Sequence, residues 1–189
     1  MISTATRSGT GSEGRTPNVL VRAASGEDAP LLRQWRAEET VRRYQPLHDV
    51  PTSQLRTDIA SLDMEDLYRA RGDRFVWIVE ADGTPCGWIT LVVANWEHGL
   101  SEIGYALSSS FQGLGVMSAA LAQLLPDLFL RTAIERIEAR CAVGNEPSKR
   151  VLEKLGFVQE GRLRGYFKLR GARVDHMLYA LLREDFLPA

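Results

Sequence analysis

The stretch from Ser101 to Met117, SEIGYALSSSFQGLGVM, does most to restrict what this chain can fold into. Its first part alternates, with Ile103, Tyr105 and Leu107 on one face of a strand and Glu102, Gly104 and Ala106 on the other. After the connection Ser108 to Phe111, the run Gln112-Gly113-Leu114-Gly115-Val116 opens a helix whose apolar stripe includes Leu121, Leu124, Leu125 and Leu128. Main-chain N–H groups gathered in such a turn, at the positive end of a helix dipole, suit a phosphate. The glycines permit the turn and the approach of an anion. The run is not a P-loop, because Val116 and Met117 stand where a lysine and a hydroxyl residue are needed. Nor is it a dinucleotide fingerprint, which would have a third glycine at Ser118 and a strand running straight into the first glycine. On these residues alone, a tight strand-to-helix turn without a ligand stays open.

A second landmark follows. Residues Arg136 to Val143 alternate as a strand, with Ile137, Ala139, Cys141 and Val143 on one side. Gly144 ends it, and Asn145-Glu146-Pro147-Ser148 starts a helix with proline in its first turn. Val151, Leu152 and Leu155 give that helix a buried stripe, Gly156 closes it in a left-handed conformation, and Phe157 begins another strand.

Gln112-Gly113-Leu114-Gly115, then Asn145-x-x-Ser148 and Leu155-Gly156-Phe157, resemble the GNAT N-acetyltransferase superfamily. Within it, Glu102-Ile103-Gly104-Tyr105, the Asn-x-x-Ser helix start and the tail Glu160-Gly161, Gly171, Asp175 and Tyr179 resemble the RimJ/RimL-type ribosomal-protein N-acetyltransferases. The resemblance covers roughly residues 18–184. It implies acetyl-CoA as co-substrate, with the pyrophosphate held by the main chain of Gln112, Gly113, Leu114, Gly115, Val116 and Met117. Met117 departs from the glycine or alanine that the family prefers there. The resemblance further implies that two parallel strands, Ser101–Leu107 and Arg136–Val143, separate at one end to admit the pantetheine arm. Ala106 and Leu107 would then be main-chain partners of that arm, and Asn145 would hydrogen-bond it.

Acetyl transfer to an amine needs a neutral amine, a polarised thioester carbonyl and a proton for the leaving thiolate. A terminal α-amine titrates at roughly 7.7–8.0 and a lysine near 10.4. Deprotonation at neutral pH therefore costs about 1 kcal/mol for the former and about 4–5 kcal/mol for the latter. An N-terminal acceptor needs little more than a carboxylate reached through water. Glu102 is the candidate catalytic carboxylate, because its same-face neighbours Gly104 and Ala106 are small and leave room for a substrate. A hydrogen-bonded strand carboxylate or a rim charge is the alternative. Ser148 matches the family position whose hydroxyl returns a proton to the coenzyme sulfur; the alternative is a serine capping its helix. Many relatives place a tyrosine acid where this chain has Leu152, which favours Ser148 or a water. Trp35 and Tyr44 fall in the first helical region, which walls the acceptor side in relatives. Tyr105 and Tyr166 are weaker candidate substrate-binding residues, because core packing for Tyr105 and a solvated strand face for Tyr166 are the favoured readings.

The rest of the chain reads as β-α-α-β-β-β-α-β-α-β-β: an α/β (α+β) fold with a GNAT-like mixed central sheet of about seven strands flanked by helices. Helices are expected over Ser25 to about Val41 and Ser53 to about Arg69, and a hairpin turn over Asp82-Gly83-Thr84-Pro85. Residues 1–17 read as a disordered tail and 18–189 as one acetyltransferase domain. A net charge of −1 gives no case for nucleic acid or a membrane surface. Cys86 and Cys141 are too few for a disulfide framework and fit buried thiols in a cytoplasmic protein. His48, His98 and His176 lack metal-ligand spacing, so no metal is expected. The family and the apolar last strand suggest a homodimer. The expected activity is an acetyl-CoA-dependent N-acetyltransferase acting on a protein or peptide N-terminal α-amine by direct attack in a ternary complex. Its rivals are a small-amine acetyltransferase acting on a polyamine or aminoglycoside, and a non-catalytic acyl-CoA-binding sensor domain.

Overall fold

A computed structural model describes residues 17–186. The expected tail, residues 1–17, lies outside the described residues except for Pro17. The architecture is a seven-stranded sheet in the order β1-β2-β3-β4-β5-β7-β6. Its strands are β1 (Val19–Ala23), β2 (Arg74–Ala81), β3 (Thr84–Asn95), β4 (Leu100–Leu107), β5 (Arg136–Ala142), β6 (Val158–Leu169) and β7 (Ala172–Leu182). Every neighbouring pair is antiparallel except β4 and β5. Helices α1 (Ala29–Ala37), α2 (Glu39–Arg42), α3 (Thr52–Ala60) and α4 (Met64–Tyr68) precede β2. Helix α5 (Val116–Arg131) crosses from β4 to β5, α6 (Glu146–Lys154) follows β5, and α7 (Arg183–Phe186) follows β7.

Helices cover both faces of the sheet at β2, which is why that strand is buried almost throughout. One core joins Ile89, Leu91 and Ile103 to Leu121, Leu125 and Leu128 of α5. A smaller one packs Leu32 and Trp35 of α1 and Ile59 of α3 over Ile78 and Trp88. Asp82 and Gly83 form the two-residue turn between β2 and β3, with φ of 49° and 76°. Cys86 and Cys141 are free and buried, and burial pushes the Cys86 thiol up to about 11. Among the described residues, no helix is long and apolar enough to cross a membrane, and no cluster of three metal-ligating side chains occurs.

Two expected helices are each broken. The first stops at Glu38, whose backbone is extended at φ −61° and ψ 133°. The Glu38 carboxylate accepts from the Ser108 hydroxyl and the Ser109 N–H, both at 2.7 Å. The break thus ties the helical layer to the β4–α5 connection, a tertiary bond that helical periodicity does not reveal. The second is interrupted before Met64, where Asp63 caps α4 by accepting from the Glu65 N–H at 2.9 Å.

The feature that positions the site lies between β4 and β5. Their pairing extends only over Leu100–Arg136, Ser101–Ile137 and Glu102–Glu138, although β4 runs on to Leu107 and β5 to Ala142. The two backbones part beyond Glu102. On the other side β4 stays paired to β3, and a Cβ at Gly87 would collide with the Ala106 carbonyl oxygen.

Candidate active site

The gap between β4 and β5 opens into a cleft of about 570 Å³. It extends from the turn before α5, past Gly104 to Leu107 and the start of α6, to the layer formed by α1 and the loop after α2. Gly104 leaves open space where a side chain would stand, as the small residues on that face of β4 foretold.

At one end, Gly113 and Gly115 hold φ of +79° and +76°, conformations that other L residues adopt at a cost of about 1–2 kcal/mol. A Cβ at either would meet nothing within 4 Å, so the space over the turn is open as well. No side chain caps α5, and its first N–H groups are therefore left for a ligand. Val116 and Met117 are buried in the core, so the Met117 departure from the family pattern is accommodated by packing. The Leu114 side chain is 52% exposed and points no apolar wall at the cleft; only its main chain belongs to the turn. Gln112 donates to the Leu107 carbonyl at 3.0 Å, which seats the turn on the end of β4. These residues fit the pyrophosphate of acetyl-CoA by donor type and clearance.

In the middle, the Tyr105 hydroxyl lies 2.9 Å from the Ser148 hydroxyl and donates to the Ser148 carbonyl at 3.3 Å. Burial holds the Tyr105 phenol well above its ordinary range, so it keeps its proton. Helix α6 is capped by Asn145, whose side-chain oxygen accepts from the Ser148 N–H at 3.4 Å. The capping reading of Ser148 is thereby displaced: its hydroxyl faces Tyr105. Gln45, from the loop after α2, donates to the Tyr105 carbonyl at 2.7 Å, and Tyr44 donates to the Gly144 carbonyl at 3.2 Å.

Glu102 is paired with Arg140, which also reaches Glu138 at 3.5 Å and lies 5.3 Å over the Tyr166 ring. The Glu102 carboxylate is therefore held in a network of charges at the wall of the cleft. His176 lines the cleft yet is only 2% exposed. Its Nδ1 lies 3.2 Å from the Val174 carbonyl oxygen, which can only accept. Burial lowers its pKa, so the ring is neutral near pH 7.

Two expected substrate contacts lie outside the cleft. Trp35 is 3% exposed and stacks on Trp88 with centroids 6.4 Å apart, so it backs the wall that Trp88 forms. Tyr166 stacks edge-on against Phe167 at 4.4 Å and supports Phe167 and Arg140, which do line the cleft. Tyr44 and Tyr105 both line it. Asp175 accepts from the Gly165 N–H at 2.6 Å and Arg162 Nε at 2.7 Å. These donors hold its carboxyl below the usual range and mark it as a tie between β6 and β7. Sequence reasoning missed Arg36, Gln45, Arg74 and Arg140. No motif marks them; only the register of β2, β3 and β4, which pairs Arg74 with Val92 and Val92 with Glu102, places Arg74 in the row of Glu102.

A model of the acetyltransferase (GNAT) domain matches residues 18–158. An uncharacterized N-acetyltransferase of Bacillus licheniformis, p20, is 32% identical over 174 residues, covering 90% of this chain and 96% of that protein. The ribosomal protein uS5-alanine N-acetyltransferase of Escherichia coli strain K12 is 26% identical over 182 residues, 92% of each chain. Mycobacterium smegmatis RimJ, solved in complex with CoA-disulfide, superposes with a TM-score of 0.78 at 28% identity, covering 90% of this chain and 84% of that one. A spermidine N-acetyltransferase from Vibrio cholerae shares the fold, with a TM-score of 0.72 at 19% identity over 90% of this chain and 96% of that one. The uncapped turn before α5, the parted strands and the family match converge: the chain belongs to the GNAT acetyltransferase family and is an N-acetyltransferase that uses acetyl-CoA.

Proposed function

We propose that this enzyme acetylates the N-terminal α-amine of a protein or peptide by direct attack in a ternary complex. The observation that carries this reading is the charge of the cleft. Among the described residues its lining holds one carboxylate, Glu102, against Arg36, Arg74, Arg140, Arg150 and Lys154. A polyamine or aminoglycoside brings several cations and would be repelled, whereas a peptide end brings one. The relation to a ribosomal protein uS5-alanine N-acetyltransferase supports the same acceptor class.

In this reading the main chain of Gln112 to Met117 holds the pyrophosphate. Of the two expected main-chain partners of the pantetheine arm, Ala106 turns its carbonyl toward β3, so the β4 edge at Leu107, with the NH2 group of Asn145, holds the arm. A main-chain N–H in the Gly104–Ala106 segment polarises the thioester carbonyl. The acceptor nitrogen attacks that carbon, the C–S bond breaks, and the proton released from nitrogen passes to Glu102 through water. Ser148 gives its hydroxyl proton to the departing sulfur and regains one from solvent, while Tyr105 fixes its orientation. An α-amine, whose neutral form is within about 1 kcal/mol at pH 7, needs little help from such a carboxylate, whereas a lysine needs about 4–5 kcal/mol.

The test is to incubate the protein with acetyl-CoA and equimolar pools of peptides with free N-termini, spermidine and an aminoglycoside, following free thiol and product masses. Acetylated peptide ends are expected. Acetylated small amines in their place would overturn the acceptor assignment, and bound acetyl-CoA with no thiol release from any pool would favour the sensor reading.

A further inference from the structure

The cleft carries a charged feature that acetyl transfer itself does not use. Arg36, in the last turn of α1, and Arg74, the first residue of β2, both line it, and Arg42 of α2 lies in an adjoining small hollow with Arg36. Among the described residues, none of the three guanidinium groups is in an ion pair with a carboxylate. By contrast Arg22, Arg136, Arg140 and Arg162 each sit on one. The only hydrogen bond recorded for the Arg36 side chain among the described residues is a long 3.4 Å contact to the His48 carbonyl. Burial and the neighbouring Arg74 and Arg42 charges lower the Arg36 pKa, a measure of how unfavourably these like charges are gathered. A cluster of guanidinium groups held together in a cleft without counter-charge is complementary to an anion brought by a ligand.

Sheet register says where that anion sits relative to the reacting amine. Arg74 pairs with Val92, Val92 with Glu102, and Glu102 with Glu138, so all four side chains emerge on one face in one row. Two strand spacings put the backbone of Arg74 about 10 Å from that of Glu102. The turn that suits the coenzyme's pyrophosphate follows Leu107, at the other end of β4, so the arginines are not its counter-charge. An extended peptide advances about 3.3 Å per residue. With its amine near Glu102, side chains of its second and third residues reach the arginine cluster.

We propose that Arg36 and Arg74 select acceptors carrying an aspartate or glutamate at the second or third residue. The site is then a dipolar match: Glu102 meets the amine and the arginines meet the acid behind it. This inference rests on the N-terminal acceptor reading and adds a sequence preference to it.

The experiment compares peptides identical except for Asp or Glu against Asn or Gln at positions two and three, reading kcat/KM from thiol release and product mass. The acidic member of each pair is expected to be preferred about tenfold, in line with one charge-assisted hydrogen bond. The preference is expected to shrink as salt is raised. In the double variant Arg36→Gln, Arg74→Gln the ratio is expected to fall to near one. Arg36 is half-buried, so a second variant guards against misfolding: Arg74→Glu, at an exposed position, is expected to turn the preference toward lysine at the same peptide positions. Equal kcat/KM within each pair, or an acidic preference that survives both variants, would overturn the proposal while leaving the N-terminal reading intact. Acetyl-CoA binding with no peptide acetylated would overturn both.

Discussion

The hydroxyl of Tyr105 on β4 lies 2.9 Å from the hydroxyl of Ser148 on α6, bridging the gap that opens where β4 and β5 stop pairing. The pair joins β4 to the helix that follows β5, across the cleft that the two parted strands make. Because burial keeps the phenol protonated, Tyr105 acts on Ser148 as an orienting neighbour. Ser148→Ala is expected to lower kcat about 100-fold, with the acetyl-CoA dissociation constant changed less than about threefold. Tyr105→Phe is expected to cost about tenfold in kcat, and less when made on the Ser148→Ala background, since both changes act on one proton. Steady-state kinetics of the four proteins measure this.

Glu102→Gln removes the carboxylate and frees Arg140. With an α-amine acceptor, kcat/KM is expected to fall about tenfold at pH 7. The acceptor's own deprotonation does more of the work at higher pH, so the deficit is expected to narrow at pH 9, above the ordinary α-amine range of about 7.7–8.0. A deficit that is constant across this range in a pH–rate profile would assign Glu102 to holding Arg140 in place.

Two glycines of the cleft separate conformation from space. Gly113→Ala forces a Cβ onto φ of +79° and is expected to weaken acetyl-CoA binding about tenfold by calorimetry. Gly104→Leu meets no backbone strain and open space, so the thermal midpoint is expected to hold while KM for the acceptor rises.

Asp28 supports the helical layer that roofs the cleft. It accepts from Arg22 at 2.7 and 2.9 Å and from the Ser25 N–H at 2.8 Å, and the Arg22 hydrogen bonds, first among these, hold its carboxyl below the usual value of 3.8. A folded-state pKa below the unfolded one contributes stability that is present above about pH 4 and lost as pH falls through the folded value. Asp28→Asn is expected to destabilise the protein by about 2 kcal/mol at pH 7 in urea unfolding, and by much less near pH 3.

The turn at Gly113 and Gly115, the helix start at Asn145 and the order of strands were legible in the sequence, because each is a local device. Left-handed glycines, a cap and period-two alternation leave marks within a few residues. The break at Glu38 was not legible, since its cause is a pair of hydrogen bonds to Ser108 and Ser109, about seventy residues away. Trp35 misled for the same reason: an aromatic in a helix reads alike whether it faces a substrate or, as here, stacks on Trp88. The Arg140 partner of Glu102 and the row from Arg74 to Glu102 depend on strand register, which no single segment encodes.

The account turns on which nitrogen receives the acetyl group. A peptide bearing both a free N-terminus and an internal lysine, incubated with acetyl-CoA and the enzyme and then fragmented in a mass spectrometer, answers this in one spectrum. The account predicts a single acetyl group on the N-terminal nitrogen and an unmodified lysine. Acetylation of the lysine, with the N-terminus left free, would contradict it.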